Sequence, residues 1–288
     1  MNFNKIYKNY MNLEIKKYLK NIRLSSDNSH KGQNGKLLLI GGSELFHAAS
    51  KWSLDVASKF VDMVFYSSVP DNNDLIKEVK GDFWNGIVVP RGEVESYIDE
   101  ADCILIGPGL VRDKKTKDFV DKLISEFPDK KWVIDAGALQ VIEPKLLNKN
   151  HIITPHKHEM IKLEDSFKSV GLDISKLEAT ILLKGKIDKI TFTSVDGKQL
   201  LADVETSEKR QIIEVEGGNA GMTKGGSGDS LAGLVAALYC THDQVTAAVV
   251  GSYINKKAGD ELYKSVGPYF NTSDLVEIIP KVFWKAVK

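Results

Sequence analysis

Short apolar runs alternate with helix-like segments along most of this chain, and this alternation restricts the fold more than any other feature. The runs, such as residues 36–40 and 102–106, are apolar at nearly every position, as is typical of parallel strands buried on both faces. The segments between them have the length and periodicity of helices. The sequence therefore predicts an α/β fold of three layers, with a mainly parallel central sheet covered by helices on both faces.

The expected elements follow this pattern in order. We expect strands at residues 36–40, 62–67, 87–89, 102–106, 131–135, 151–154 and 180–184. We expect helices at residues 48–60, 94–100, 115–127, 158–170, 230–240, 245–263 and 274–285. Residues 190–194, a turn at Asp196-Gly197 and residues 199–203 predict an antiparallel hairpin. We expect an appended arm over residues 1–25 and one domain over residues 26–288.

Glycine and polar residues lie at the carboxyl ends of five of the expected strands. These strand ends are Gly41-Gly42-Ser43, Gly107-Pro108-Gly109, Asp135-Ala136-Gly137, Thr154-Pro155-His156 and Lys184-Gly185. Ligands of open parallel sheets bind at the carboxyl ends of the strands. We therefore expect a ligand site at this edge of the sheet.

Residues 217–231 are rich in glycine and lead directly into an apolar helix. Six of the thirteen positions from Gly217 to Asp229 are glycine. Such a loop lets backbone N–H groups converge, and a helix N-terminus adds unpaired donors and its positive dipole end. Together they predict a phosphate site, with Asp229 placed to take a proton from an attacking hydroxyl. The alternative is a surface turn with Asp229 as an ordinary helix cap. Neither a Walker P-loop nor a dinucleotide fingerprint is present.

Composition excludes some partners. Lys and Arg together number 39, as do Asp and Glu, and this zero net charge does not support a nucleic-acid partner. No apolar run approaches the roughly 18 residues of a membrane helix. The two cysteines, Cys103 and Cys240, lie in apolar runs and suit a reducing compartment. We expect a cytoplasmic protein that binds neither nucleic acid nor membrane.

The ordered motifs of the chain resemble those of one family. They are His30-Lys31-Gly32 with Gly35, Gly41-Gly42-Ser43, Gly107-Pro108-Gly109, Val133 to Leu139, Ile153 to His156 with Glu159, Leu183-Lys184-Gly185, Gly218 to Gly221, and Lys224 to Asp229. This set resembles the ADP/ATP-dependent NAD(P)H-hydrate dehydratases of the ribokinase-like superfamily. The resemblance extends from His30 to the C-terminal helix.

The resemblance implies repair of NADHX and NADPHX, the hydrated forms of the reduced nicotinamide cofactors. A hydro-lyase of this kind uses ADP, or ATP, to phosphorylate the ring hydroxyl of the (S) hydrate and then expels phosphate, which gives NADH or NADPH. Mg²⁺ would arrive with the nucleotide, held mainly by phosphates and water, without a separate protein metal site. The family also implies a homo-oligomer, for instance a tetramer. Because the motifs begin at residue 30, we expect a stand-alone dehydratase without the epimerase domain to which many relatives are fused.

The resemblance also assigns site residues. By similarity, Asp229 contacts the hydrate and acts as the base. The other positions that match hydrate contacts are Ala49, Gly109 and His156. The positions that match nucleotide contacts are Lys184, Gly185, Lys186, Ile187, Asp188 and Gly228. The positions that match the anion hole for the transferred phosphate are Gly225, Gly226, Ser227 and Gly228. We expect His30-Lys31-Gly32 to form a loop against the site, without a catalytic role.

Three segments depart from the family pattern. Ala48-Ala49 stands where relatives have Gly-Ala. Lys157-His158 replaces the usual Pro-Gly after His156, which makes Lys157 a candidate phosphate or ribose contact. Asp188 replaces a threonine that commonly ends the nucleotide segment, and its negative charge is expected to repel phosphate. Two roles are equally consistent with Asp135 in the sequence: a carboxylate that stabilises a turn, or a residue that organises magnesium or phosphate.

Two other functions remain open from the sequence. A superfamily kinase acting on a hydroxymethylpyrimidine or a hydroxyethylthiazole would share Asp229 and the glycine loop. The residues Thr154-Pro155-His156 together with Lys224 to Gly226 fit the dehydratases better. A non-enzymatic nucleotide-binding relative would keep the fold, but the intact base Asp229 argues against it.

Overall fold

Both faces of the central strands are buried, as the apolar runs predict. The computed structural model describes residues 14–78, 85–194 and 209–288. In strand β1 (Lys36–Ile40), Leu37 and Leu39 belong to one hydrophobic cluster, whereas Leu38 and Ile40 belong to another. Successive side chains of a strand point to opposite faces. Two cores therefore lie on either side of one sheet, and the predicted three-layer α/β fold is confirmed.

Parallel pairing dominates the sheet. The other strands of the described ranges are β2 (Met63–Ser67), β3 (Ile87–Val88), β4 (Cys103–Ile106), β5 (Trp132–Ile134), β6 (His151–Ile153), β7 (Thr180–Leu183), β8 (Asp188–Ser194) and β9 (Lys209–Val215). Their order in the sheet is β3-β2-β1-β4-β5-β6-β7-β8-β9. All pairs from β3 to β7 are parallel, and β8 and β9 add two antiparallel strands. Consequently the ends of β1, β4, β5, β6 and β7 that carry glycine and polar residues share one edge.

Helices cover the sheet on both sides. They are α1 (residues 14–20), α2 (His47–Ala57), α3 (Pro70–Glu78), α4 (Val94–Glu100), α5 (Lys114–Glu126), α6 (Ala136–Leu139), α7 (Lys157–Ser169), α8 (Ser227–Thr241), α9 (Gln244–Val266) and α10 (Thr272–Val287). One core packs against α2, α8, α9 and α10, and the other against α4, α5 and α7. In α1, within the predicted arm, Ile15 and Leu19 are buried in the first core. Within the described ranges, no helix has the length and apolar character needed to cross a membrane.

One expectation about a connecting segment, that of the His30 loop, is wrong, and the expected hairpin is tested only at residues 190–194. β8 pairs along its whole length with β9, whereas the turn at Asp196-Gly197 and residues 199–203 lie outside the described residues. The loop of His30 lies at the amino edge of the sheet, opposite the predicted site. There the carboxylate of Asp62, just before β2, accepts the N–H groups of Gly32 at 2.8 Å and Asn34 at 3.1 Å.

Candidate active site

Helix α8 begins at the carboxyl edge of the sheet without a side-chain cap. Its N-cap residue, Gly226, has a left-handed φ of 97°, a conformation that favours glycine. By contrast, His156, Asp243 and Asn271 accept N–H groups at the starts of α7, α9 and α10. The first N–H groups of α8 therefore keep the capacity to bind an anion.

The glycine loop before α8 is held from several sides. The Thr272 hydroxyl donates to the carbonyl of Gly225 at 2.8 Å. The Ser227 hydroxyl donates to the carbonyl of Met222 at 2.7 Å, and the Lys224 ammonium donates to the carbonyl of Pro268 at 2.8 Å. The side chains of Ser227 and Lys224 thus fix the shape of the loop through hydrogen bonds to backbone carbonyls.

Two carboxylates and one ammonium lie together beneath the first turn of α8. The ammonium of Lys184 lies 2.7 Å from Oδ1 of the buried Asp135, which also accepts the Thr154 hydroxyl at 2.7 Å. A Cβ added to Gly228 would lie 3.5 Å from the Lys184 ammonium. Burial first, and then the negative charge of Asp135, raise the pKa of Asp229 to about 7 against the opposing charge of Lys184. Asp229 can therefore accept a proton near neutral pH.

Lys184 itself remains positively charged. Burial alone would lower the pKa of its ammonium, but the carboxylates of Asp135 and Glu159 raise it above the ordinary value. Asp135 thus holds a cation under the helix terminus. Ala136, which follows Asp135, is the one non-glycine residue of the described ranges with a positive φ, 45°, and such strain is concentrated at functional sites.

His156 caps α7 and lies next to Lys184. The two residues form a parallel β-bridge. Nδ1 of His156 accepts the N–H groups of His158 and Glu159, each at 3.1 Å, while the buried Glu159 carboxylate accepts the His156 N–H at 2.9 Å. The start of α7 is therefore well formed despite the replacement at Lys157-His158. Nε2 of the half-exposed imidazole lies 3.7 Å from Oε2 of Glu159.

The two predicted small positions occupy different surroundings. Ala49 lies near Asp229, because the Ser53 hydroxyl donates both to the carbonyl of Ala49 at 3.3 Å and to that of Asp229 at 2.8 Å. Gly109 has a φ of 76°, and a Cβ there would lie 2.3 Å from the carbonyl oxygen of Phe46. Close packing of two loops therefore requires glycine at this position, whether or not a ligand is bound.

A cavity of about 550 Å³ lies between α8, α9 and the turn after β7. Of the predicted nucleotide contacts, it is lined by Lys184, Gly185, Lys186, Asp188 and Gly228. Ile187 is absent from the lining and is exposed. The structure thus brings most of the predicted nucleotide segment to the same space as the helix terminus.

The cavity also contains residues that sequence reasoning missed. Asn255 and Lys256 of α9 line it and are buried. Ser252 lies three residues before Asn255 and four before Lys256, so these three polar side chains share one face of α9. That face is otherwise apolar. That interruption was the available signal. The Lys256 ammonium lies 3.2 Å from Oδ1 of Asp188, so the negative charge of Asp188 has a buried counter-charge, and its expected repulsion of phosphate stays a prediction. No group of three or more His, Cys, Asp or Glu side chains in the described ranges could hold a metal ion.

The sheet order and the glycine-led helix terminus define a ribokinase-like α/β protein with an edge suited to phosphate. A ribokinase-like superfamily protein from Enterococcus faecalis has the same fold, with a TM-score of 0.75, 22% identity and coverage of 94% of both chains.

The model of a family described as NAD(P)H-hydrate dehydratase matches residues 37–281. The bifunctional NAD(P)H-hydrate repair enzyme Nnr of Methanocaldococcus jannaschii is 36% identical over 279 residues, covering 92% of this chain and 51% of that protein. An ADP-dependent (S)-NAD(P)H-hydrate dehydratase of Nitrosopumilus maritimus is 30% identical over 285 residues, covering 88% of this chain and 90% of that protein. The chain belongs to the NAD(P)H-hydrate dehydratase family, as its motifs predict, and spans about half the length of the bifunctional relatives it matches.

Proposed function

We propose that this chain is an ADP-dependent (S)-NAD(P)H-hydrate dehydratase. The main support is the partly buried carboxylate of Asp229 in the first turn of the uncapped helix α8, above the Lys184–Asp135 ion pair. This arrangement offers a base with a pKa of about 7 beside donors for phosphate. The name of the Nitrosopumilus relative supports ADP as phosphoryl donor, with ATP as the alternative.

The proposed reaction has two parts. Asp229 accepts the proton of the ring hydroxyl while the hydroxyl oxygen attacks the terminal phosphorus of ADP, and AMP leaves. The phosphate ester then breaks at its carbon–oxygen bond, the neighbouring ring carbon loses a proton that the departing phosphate takes up, and NAD(P)H and phosphate form. The N–H groups of residues 225–228 and the Lys184 ammonium would stabilise charge on the transferred group. Mg²⁺ would enter with the nucleotide and neutralise its phosphates.

Other parts of the assignment follow from the same site. Ala49, Gly109 and His156 would contact the hydrate, and the turn from Lys184 to Asp188 would contact the AMP moiety in the cavity. The homo-oligomer remains a prediction. The preference between NADHX and NADPHX is measured by the experiment described next.

The test combines purified protein, (S)-NADHX and ADP and follows the absorbance of reduced nicotinamide. Return of that absorbance with release of AMP and phosphate supports the proposal. A stable phosphorylated alcohol without NADH would favour a small-molecule kinase. Nucleotide binding without turnover would favour a non-enzymatic relative. Parallel reactions with ATP and with NADPHX identify the preferred substrates.

The rate should rise with pH through neutrality. Asp229 must be ionised to accept a proton, and its pKa is about 7. We expect kcat/KM for the hydrate at saturating ADP to fall about tenfold for each pH unit below 7 and to level off above about pH 8. The measurement is a pH–rate profile. A midpoint near the ordinary value for aspartate would contradict the assignment of the base.

Lys184→Met should weaken nucleotide binding more than hydrate binding. The ammonium lies beneath Gly228 on the cavity wall, and a hydrogen bond to a charged group contributes about 1.5–3 kcal/mol. We expect the dissociation constant of ADP to rise about 10- to 100-fold, with the KM of the hydrate changed less than about threefold. Lys168→Met, which removes an exposed lysine at the far end of α7, is the control. Equal weakening of both substrates would contradict the role.

A further inference from the structure

A buried lysine joins two loops at the cavity. The side chain of Lys256 is 7% exposed. Its ammonium donates to the carbonyl oxygens of Gly185 at 2.9 Å, Lys186 at 3.2 Å and Gly217 at 3.4 Å. The Asp188 carboxylate lies 3.2 Å away. Because an ammonium has three donors, these protein acceptors already use its hydrogen-bonding capacity.

The carboxylate of Asp188 also has several hydrogen-bond partners. Oδ1 accepts the N–H of Gly185 at 2.8 Å, and Oδ2 accepts the Ser252 hydroxyl at 2.8 Å. The carboxylate is therefore fixed by a backbone group of its own turn and by two side chains of α9. Asp188 and Lys256 together connect the turn after β7, the loop after β9 and helix α9.

A buried ion pair is expensive to desolvate, and removing one partner leaves an uncompensated charge. Both charges here are almost completely enclosed, and both have several further partners. The partners are mostly backbone groups of Gly185, Lys186 and Gly217, which line the cavity or adjoin its lining residues. The pair therefore binds the same backbone groups that would have to keep their positions for a nucleotide to bind.

We propose that Asp188 and Lys256 form a positioning pair that holds the nucleotide-binding turn in its binding conformation without contacting the phosphates. The identity of the ligand rests on the proposed function, but the role of the pair concerns binding alone. The pair explains how an aspartate can occupy this buried position, because the Lys256 ammonium compensates the negative charge of Asp188. A neutral residue would need no such partner.

The test is a double-mutant cycle read by calorimetric titration with ADP, at a temperature at which every variant is folded by circular dichroism. Lys256→Met and Asp188→Asn should each raise the dissociation constant about tenfold or more, because each strands one charge. The double variant should bind ADP no more weakly than either single variant. The KM of the hydrate should stay within about threefold, a separation that general loss of stability would not produce.

Lys257→Met is the matched control, since it removes the same charge from the exposed neighbouring position of α9, and ADP binding should not change. If Lys256→Met does not fold, Ser252→Ala keeps both charges and removes only the hydrogen bond to Asp188, and should weaken ADP binding about threefold to tenfold. Unchanged binding in Ser252→Ala and in the single charge variants, or losses that simply multiply in the double variant, would overturn the pair.

The outcome for the pair is separable from the outcome for the proposed function. A wild-type chain that binds ADP but never converts the hydrate contradicts the function, while coupled losses in the cycle still support the pair. A wild-type chain that binds neither ADP nor ATP overturns both.

Discussion

Asp229→Asn is expected to lower the rate of hydrate dehydration by about 10²- to 10⁴-fold, the usual contribution of a general base. Asparagine has nearly the same shape but cannot accept the proton of the ring hydroxyl. Ser227, Gly228 and Leu231 of α8 line the nucleotide cavity but Asp229 itself does not, so the dissociation constant of ADP should stay within about threefold. Single-turnover rates and ADP titrations on the same preparation measure the two effects.

The same substitution should not destabilise the folded chain. Folding raises the pKa of Asp229 from 3.8 to about 7, so the folded state binds a proton more tightly than the unfolded state. Stability therefore falls as pH rises from about 4 to 7, and the ionised carboxylate has a stability cost above pH 7. Removal of that carboxylate should leave Tm equal or higher at about pH 8, and the difference should vanish below about pH 4.

This combination separates a catalytic role from a structural one. A merely structural Asp229 would lose activity and Tm together. Asp165→Asn, an exposed carboxylate of α7, is the control for removal of a negative charge and should change neither. Turnover that survives in Asp229→Asn at more than about one tenth of the wild-type rate would refute the assignment of the base.

The central fold could be predicted from the sequence, because a parallel strand buried on both faces must be apolar whatever its neighbours are. Strand β9 was missed because it lies at one edge of the sheet. Ile213 and Val215 of β9 are buried in the core, whereas Ile212 is 60% exposed, so the strand carries no continuous apolar run. Helix α6 has four residues, which is too short for a helical period to be recognised.

The candidate site was predictable where its residues follow strands or lie in the glycine loop, as do Lys184, Gly226 and Asp229. Lys256 could not be placed, because its partner Asp188 lies far from it along the chain and only the packing of α9 against the sheet brings them together. Sequence reasoning also treated Gly225 and Gly226 as equivalent. The structure distinguishes them, and the distinction can be measured.

Gly226→Ala is expected to lower kcat/KM for ADP by about 100-fold or more. The φ of 97° costs an L-residue about 1–2 kcal/mol. In addition, a Cβ at Gly226 would lie 2.3 Å from ring carbons of Trp52 and 2.7 Å from the Thr272 hydroxyl. The loop must shift to relieve these contacts, and the N–H groups that would meet phosphate shift with it. Initial rates at varied ADP concentration, with circular dichroism to verify folding, measure the effect.

Gly225→Ala is the matched control for this prediction. A Cβ at Gly225 would meet nothing within 4 Å, and its φ is outside the left-handed region. We expect its kcat/KM to stay within about threefold of wild type, because the backbone can keep its conformation. Adding Trp52→Ala to Gly226→Ala should recover only part of the activity, since the ring contact is relieved while the backbone strain remains. Equal losses in the two glycine variants would show that glycine is needed at both positions for ligand approach, and would contradict the view that Gly226 acts by fixing the start of α8.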